Sequence, residues 1–146
     1  MKIAIEHLEF EELLTFLRIQ AEDSFPDLKD EHRLNMLAMK WYIHAEFSTC
    51  RDEDNRLVGI IAFYANLPKN GIAYIPHIYL SGEYRGTGVF KELLLHVKEY
   101  VRAKGFKYLR LEVQRNNNRA QRAYINNGFQ IDEDASENSF YMRCEI

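Results

Sequence analysis

Ile72–Leu80, the turn Arg85-Gly86-Thr87-Gly88-Val89-Phe90 and the run Val89–Lys104 follow one another in this chain, and Tyr108–Val113 comes next. Ile72–Leu80 is apolar and strand-like, interrupted by Pro76, which predicts a bulge or an unpaired stretch there. From Val89, residues Phe90, Leu93, Leu94, Val97 and Val101 form one apolar stripe at helical spacing. Lys104-Gly105 ends that helix with a cation in the last turn and a C′ glycine. Tyr108–Val113 alternates, with Leu109, Leu111 and Val113 on one face. Two strands joined through a helix run parallel, and the crossover is right-handed. The chain must therefore build a sheet with a parallel pair and a helix on its face.

The other segments favour antiparallel pairing. Lys2–Ile5 reads as a first strand. Glu9–Gln20 and Asp30–His44 read as helices, the first through Phe10, Leu13, Leu14 and Leu17, the second through Leu34, Leu37, Ala38 and Trp41. Ala21–Lys29 reads as a loop. Ala45–Arg51 and Leu57–Ala65 read as strands around the polar turn Asp52–Asn55. Pro68-Lys69-Asn70-Gly71 carries hairpin chemistry before Ile72. Asn118-Arg119-Ala120-Gln121 fits a capping box opening a short helix that ends at Asn127-Gly128. Ile131 continues into a strand, Asp132–Asn138 reads as an acidic loop, and Ser139–Cys144 is the last strand. The order β-α-α-β-β-β-α-β-α-β-β implies an α/β fold: a mixed, mostly antiparallel central sheet flanked by helices.

A length of 146 residues suits one domain over residues 1–146, and 47% hydrophobic residues is ordinary for a globular chain. No apolar run is long enough to cross a bilayer, and the first residues lack a signal-peptide core. Cys50 and Cys144 have no motif spacing, so neither a disulfide framework nor a metal site is expected, and a cytoplasmic setting is. A net charge of −3 argues against nucleic acid as a partner.

The glycine turn is a place for phosphate. First-turn N–H groups of a helix lack intrahelical partners, the helix dipole favours an anion, and Gly86 and Gly88 allow close backbone approach. A second group follows the next strand: Asn117, Ala120, Tyr124, Gly128 and Phe129. Ala120 and Tyr124 lie one turn apart on one helix face. Together these two stretches resemble the CoA signatures of the GNAT family of N-acetyltransferases. Arg85-Gly86-Thr87-Gly88-Val89 is similar to its Arg/Gln-x-x-Gly-x-Gly/Ala motif, and Asn117-x-x-Ala120-x-x-x-Tyr124-x-x-x-Gly128-Phe129 to its second motif. The resemblance covers Tyr79–Phe129. Phe90 departs from it, standing where the family has Gly or Ala, and Gly82 stands where proline is common.

The resemblance implies acetyl-CoA as acetyl donor, no metal, and direct attack of an amine on the thioester. In that reading the N–H groups of Gly86 to Phe90 hold the pyrophosphate. The edge Ile78-Tyr79-Leu80 pairs with the pantetheine amides like an added strand and supplies a backbone N–H to the thioester oxygen. Asn117 hydrogen-bonds the pantetheine arm, Ala120 and Tyr124 wall the channel, and Arg85 pairs with a phosphate. Arg115, Arg119 and Arg122 are either a 3′-phosphate cluster or a solvated helix start. Tyr124 is the expected acid for the leaving thiolate. His77, Tyr74 and Glu112 are alternative bases. Phe90 is expected to face the helix–sheet interface, which leaves the turn open.

The acceptor expected from the resemblance is a small-molecule or peptide amine, with no membrane partner. The acidic segments around Glu22, Asp23 and Asp27 and around Asp132, Glu133, Asp134 and Glu137 would attract a cation. Phe25 and Trp41 are candidate aromatic walls, with Trp41 equally a core residue. Homodimers are common in that family. A non-catalytic acyl-CoA sensor is the competing reading.

Overall fold

A computed structural model describes residues 1–23, 29–66 and 70–146. The strands are β1 (Lys2–Glu6), β2 (Glu46–Arg51), β3 (Leu57–Tyr64), β4 (Ile72–Leu80), β5 (Tyr108–Gln114), β6 (Gln130–Ser136) and β7 (Ser139–Glu145). The helices are α1 (Phe10–Asp23), α2 (Glu31–His44), α3 (Val89–Ala103) and α4 (Asn118–Asn126). The strands form one seven-stranded sheet in the order β1-β2-β3-β4-β5-β7-β6. Among the described residues only β4 and β5 pair in parallel, as the crossover through α3 requires.

Two apolar layers sandwich the sheet. On one face the α3 stripe of Leu93, Leu94, Val97 and Val101 packs on Ile61, Phe63, Ile75, Leu109, Leu111 and Val113. On the other, Leu13, Leu14 and Leu17 of α1 and Leu34, Ala38 and Trp41 of α2 pack on Phe47, Ile60, Ala62 and Tyr79. Trp41 is a core residue, only 5% exposed. Asp30 caps α2 by accepting from the N–H groups of His32 and Arg33.

Pro76 does both things its residue type suggests. The β3–β4 register slips between the pairs Ala62–His77 and Tyr64–Tyr74. The β4–β5 ladder runs from Ile72–Tyr108 to Ile75–Leu111 and stops there. Proline has no N–H to continue a ladder. Beyond Ile75 the two central strands part, and this fork positions the site.

The structure corrects two readings. Asn117, not Asn118, caps α4, its Oδ1 accepting from the Ala120 N–H at 3.1 Å. Gln121 does not close a capping box, because its amide donates to the carbonyls of Gln114 and Arg115. The acidic segment is also not a loop: it is β6, paired along β7 and turning through Glu137-Asn138. Its acids suit an edge strand, where charge discourages pairing with another chain. Lys69 and Pro68 of the hairpin turn lie outside the described residues.

Candidate active site

The glycine turn is shaped as an anion cradle. Gly86 and Gly88 take left-handed φ values of 76° and 91°, which an L side chain resists. A Cβ built on either would meet nothing within 4 Å, so the space above the turn is open. Thr87 pins the turn from below by donating its hydroxyl to the Tyr84 carbonyl. Glu92 N–H donates back to Gly88, closing the first turn of α3. Among the described residues, the N–H groups of Gly86 to Phe90 donate to no carbonyl or side chain. Five such donors at the positive end of a 15-residue helix fit a pyrophosphate.

From the turn a groove of about 540 Å³ runs along β4 toward α4. Ile78, Tyr79, Leu80, Arg85, Gly86, Phe90, Asn117, Ala120 and Tyr124, all expected at the cofactor, line it. Thr87, Gly88 and Val89 lie in the turn rather than along the groove; the Val89 side chain is buried in the core. Pro76, Ala123 and Arg119 complete the lining with His77. Ala123 follows from helical spacing after Ala120, a signal available in the sequence.

The β4 edge carries the donors the groove needs. Ser81 N–H donates to the Val58 carbonyl of β3 at 2.9 Å. Bonding alternates along an antiparallel ladder, so His77 and Tyr79 direct their backbone groups to β3. Ile78 and Leu80 turn theirs to the edge that β5 has left. The Leu80 carbonyl there accepts from Arg85 Nε at 2.8 Å, and the Arg85 guanidinium lies over the Tyr79 ring. Arg85 thus turns back onto the strand end instead of standing out in solvent. The Tyr79 ring packs edge-on against Phe16 in the α1–α2 core.

Tyr124 closes the far side. Its ring sits between Phe90 and Phe129, with centroids 6.0 and 5.8 Å away. Burial pushes its phenol up to about 12, so it is a protonated acid at neutral pH. Among the described residues its hydroxyl has no partner. Phe90 is half-buried against the core beneath α3 and leans on Tyr124. It lines the groove without covering the turn.

Residues 10–129, most of the chain, match the sequence profile of the acetyltransferase (GNAT) family. The chain belongs to this family. Solved GNAT structures share its fold. A PaiA N-acetyltransferase of Thermoplasma acidophilum in complex with coenzyme A is 23% identical, with 100% of each chain covered and a TM-score of 0.75. Ard1 of Thermoplasma volcanium is 20% identical over 100% of this chain and 99% of its own, also at 0.75. A candidate streptothricin acetyltransferase of Bacillus anthracis str. Ames, in complex with acetyl coenzyme A, is 25% identical over 70% of this chain and 63% of its own, at 0.62. None of the curated protein sequences compared with the chain matches it. Membership and the CoA-bound neighbours support acyl transfer as the general chemistry of this GNAT chain, with an acyl-CoA as donor.

The three candidate bases have different surroundings around the fork. His77 is half-buried at the groove, stacked on Trp41 and bonded through Nε2 to Gln20 Oε1 at 2.7 Å. Burial pushes it down to about 4, so its imidazole is neutral but weakly basic. Burial, then the charge of Glu112, pushes Tyr74 up to about 12. Glu112 is an exposed carboxylate at the first β5 position past the last parallel pair. The acidic rim is largely neutralised within the hairpin: Arg110 pairs with Asp132 and Glu133, and Arg115 with Asp134. Arg115 therefore belongs to β6, while Arg119 stands at the groove and Arg122 in solvent. The readings of Phe25 and Asp27 lie outside the described residues, as does the side chain of Asp23.

Gly88→Val tests the cradle. A β-branched residue at this left-handed φ costs about 1–2 kcal/mol and places methyl groups where the phosphate would sit. Titration calorimetry with coenzyme A is expected to show at least tenfold weaker binding (about 1.4 kcal/mol). Unchanged affinity would remove the turn from the phosphate grip.

Proposed function

We propose that this chain is an acetyl-CoA-dependent N-acetyltransferase that acetylates a primary amine by direct attack in a ternary complex. One observation carries the reading: the groove that holds the outward edge of β4 and the Tyr124 hydroxyl begins at Gly86 and Phe90, the two ends of the turn whose N–H groups have no partner among the described residues. The cradle suits pyrophosphate, and the β4 edge suits an arm that carries amides. An outward N–H of that edge is placed to stabilise charge on the thioester oxygen. The amine nitrogen bonds to the carbonyl carbon, the C–S bond breaks, the thiolate takes the Tyr124 proton, and the proton that the nitrogen sheds on becoming an amide returns to the Tyr124 phenolate through solvent. Glu112, on the opposite face of the fork, takes the proton that the ammonium must lose.

A thermal-shift panel with thiol detection tests this function. A ligand that binds only the folded state raises the melting temperature. Acetyl-CoA and CoA are expected to raise it, and ATP and NAD to leave it unchanged. Free thiol is then expected from acetyl-CoA with at least one of an alkyl diamine, an aminoglycoside or a peptide with a free amino group. A shift with ATP alone refutes the reading, and CoA binding without thiol release from any amine favours a sensor.

A further inference from the structure

Beneath Glu112 lies a pair of serines with no part in any CoA motif. Ser139 is fully buried, yet it donates its hydroxyl to the exposed Glu112 carboxylate, Oγ to Oε2, at 2.6 Å. Ser136 Oγ lies 2.7 Å from Ser139 Oγ and supplies the second contact that a buried hydroxyl needs. The register places these groups together. Glu112 faces Tyr141 across the β5–β7 ladder, and Ser139 faces Gln114 two residues along.

Three further observations give the arrangement a direction. Leu111 and Val113 point into the α3 core, so Glu112 points to the opposite face of the fork. The one cation beside it on β5, Arg110, is held by Asp132 and Glu133 and stacked over the Tyr141 ring, 3.8 Å from its centroid. Glu112 itself has no ion-pair partner among the described residues. Its charge is therefore available, and Ser139 restricts where its oxygens sit.

We infer that Ser139 is a positioning residue for acyl transfer: from β7 it fixes one oxygen of Glu112, the first β5 position past the β4–β5 pairing, and leaves the other oxygen to receive the ammonium of a cationic acceptor. The inference rests on the proposed N-acetyltransferase reading. Tyr124 serves the leaving thiolate from the α4 side of the fork, and Glu112 serves the attacking amine from the other. A carboxylate on an exposed strand position has many rotamers, and one buried hydroxyl beneath it selects among them.

The test is a double-mutant cycle on the full chain. Thiol release from acetyl-CoA is followed with the alkyl diamine, aminoglycoside and peptide acceptors above. Ser139→Ala is expected to lower kcat/KM for the amine about tenfold, the scale of one hydrogen bond to a charged group. The CoA-induced melting shift is expected to stay unchanged. In a Glu112→Gln background the same substitution is expected to add nothing, because its effect passes through the carboxylate. Ser139→Cys, close in volume and a weaker donor, is expected to move activity in the same direction and serves if the alanine variant does not fold. Equal loss in both backgrounds, or no loss with Ser139→Cys and Ser139→Ala, overturns the inference. A wild-type chain that releases thiol with none of the amines overturns the proposed function first, and this inference with it.

Discussion

Tyr124→Phe is expected to lower kcat by roughly 10²-fold or more, the usual contribution of a positioned acid, with KM for acetyl-CoA almost unchanged. The two effects separate because the ring and the hydroxyl do different things. The ring is packed between Phe90 and Phe129, and phenylalanine keeps that packing and the channel wall. The hydroxyl is the free end, and only a charge-developing thiolate needs it. Burial holds the phenol near 12, so it stays protonated across the working range and kcat is expected to show no alkaline loss from Tyr124 below about pH 11. Steady-state kinetics with saturating amine, repeated from pH 6 to 10, checks both statements. An unchanged kcat would leave Tyr124 as a wall of the groove and no more.

The element order and the groove were legible in the sequence because both depend on local signals. Ile72–Leu80 is a strand from end to end, as its apolar run indicates, and Val89 opens α3 because Gly88 provides the left-handed entry. The parallel pair follows from chain connectivity alone, since a helix of this length must carry the chain back along the sheet. Pro76 marks the fork for a reason visible in one residue: it cannot donate to a ladder. The two motif stretches converge because β4 and β5 are neighbours, with α3 and α4 starting from their same ends.

What depended on register was not legible. The acids of Asp132–Asp134 read as a loop because strand propensity is low for them, yet pairing with β7 overrides it. Their salt bridges to Arg110 and Arg115 join residues 19 to 23 positions apart, and no periodicity reports such contacts. Gln20 beneath His77 and Ser139 beneath Glu112 are of the same kind. The first links residues 57 apart and the second residues 27 apart. For Ser139 a partial signal existed, since alternation puts Glu112 and Gln114 on one face of β5. The partner on β7 needed the ladder itself. Arg85 is instructive in a different way: its motif suggests a phosphate ligand, and the bond from its Nε to the Leu80 carbonyl at the strand end needed the folded turn to be seen.

Arg51→Met is expected to destabilise the fold by about 2–4 kcal/mol at neutral pH, below the 3–5 kcal/mol typical when a fully buried ion pair loses one partner. Arg51 is 8% exposed and grips two carboxylates, Glu6 through Nη2 and Nε and Glu12 through both terminal nitrogens. Methionine keeps most of the apolar stem but leaves both acids facing each other. Glu6 and Glu12 retain 29% and 39% of their side-chain exposure, so water compensates part of the loss, more at Glu12. The same network makes a signed pH prediction. The Arg51 hydrogen bond, with a further one from Thr49, holds Glu6 below its ordinary 4.5 despite the opposing effect of burial. A lowered carboxylate contributes stability that is complete above the unfolded value and is lost as pH falls through the folded one. Wild-type stability is therefore expected to decline below about pH 4.5, while Arg51→Met loses much of that dependence, so the two curves converge in acid. Urea denaturation at pH 7 and at steps down to pH 3 measures both. A gap that stays constant with pH would show that the loss comes from packing of the arginine stem and not from its charge. The network ties β1, α1 and β2 together far from the fork, so kcat of the folded variant is expected to match the wild type.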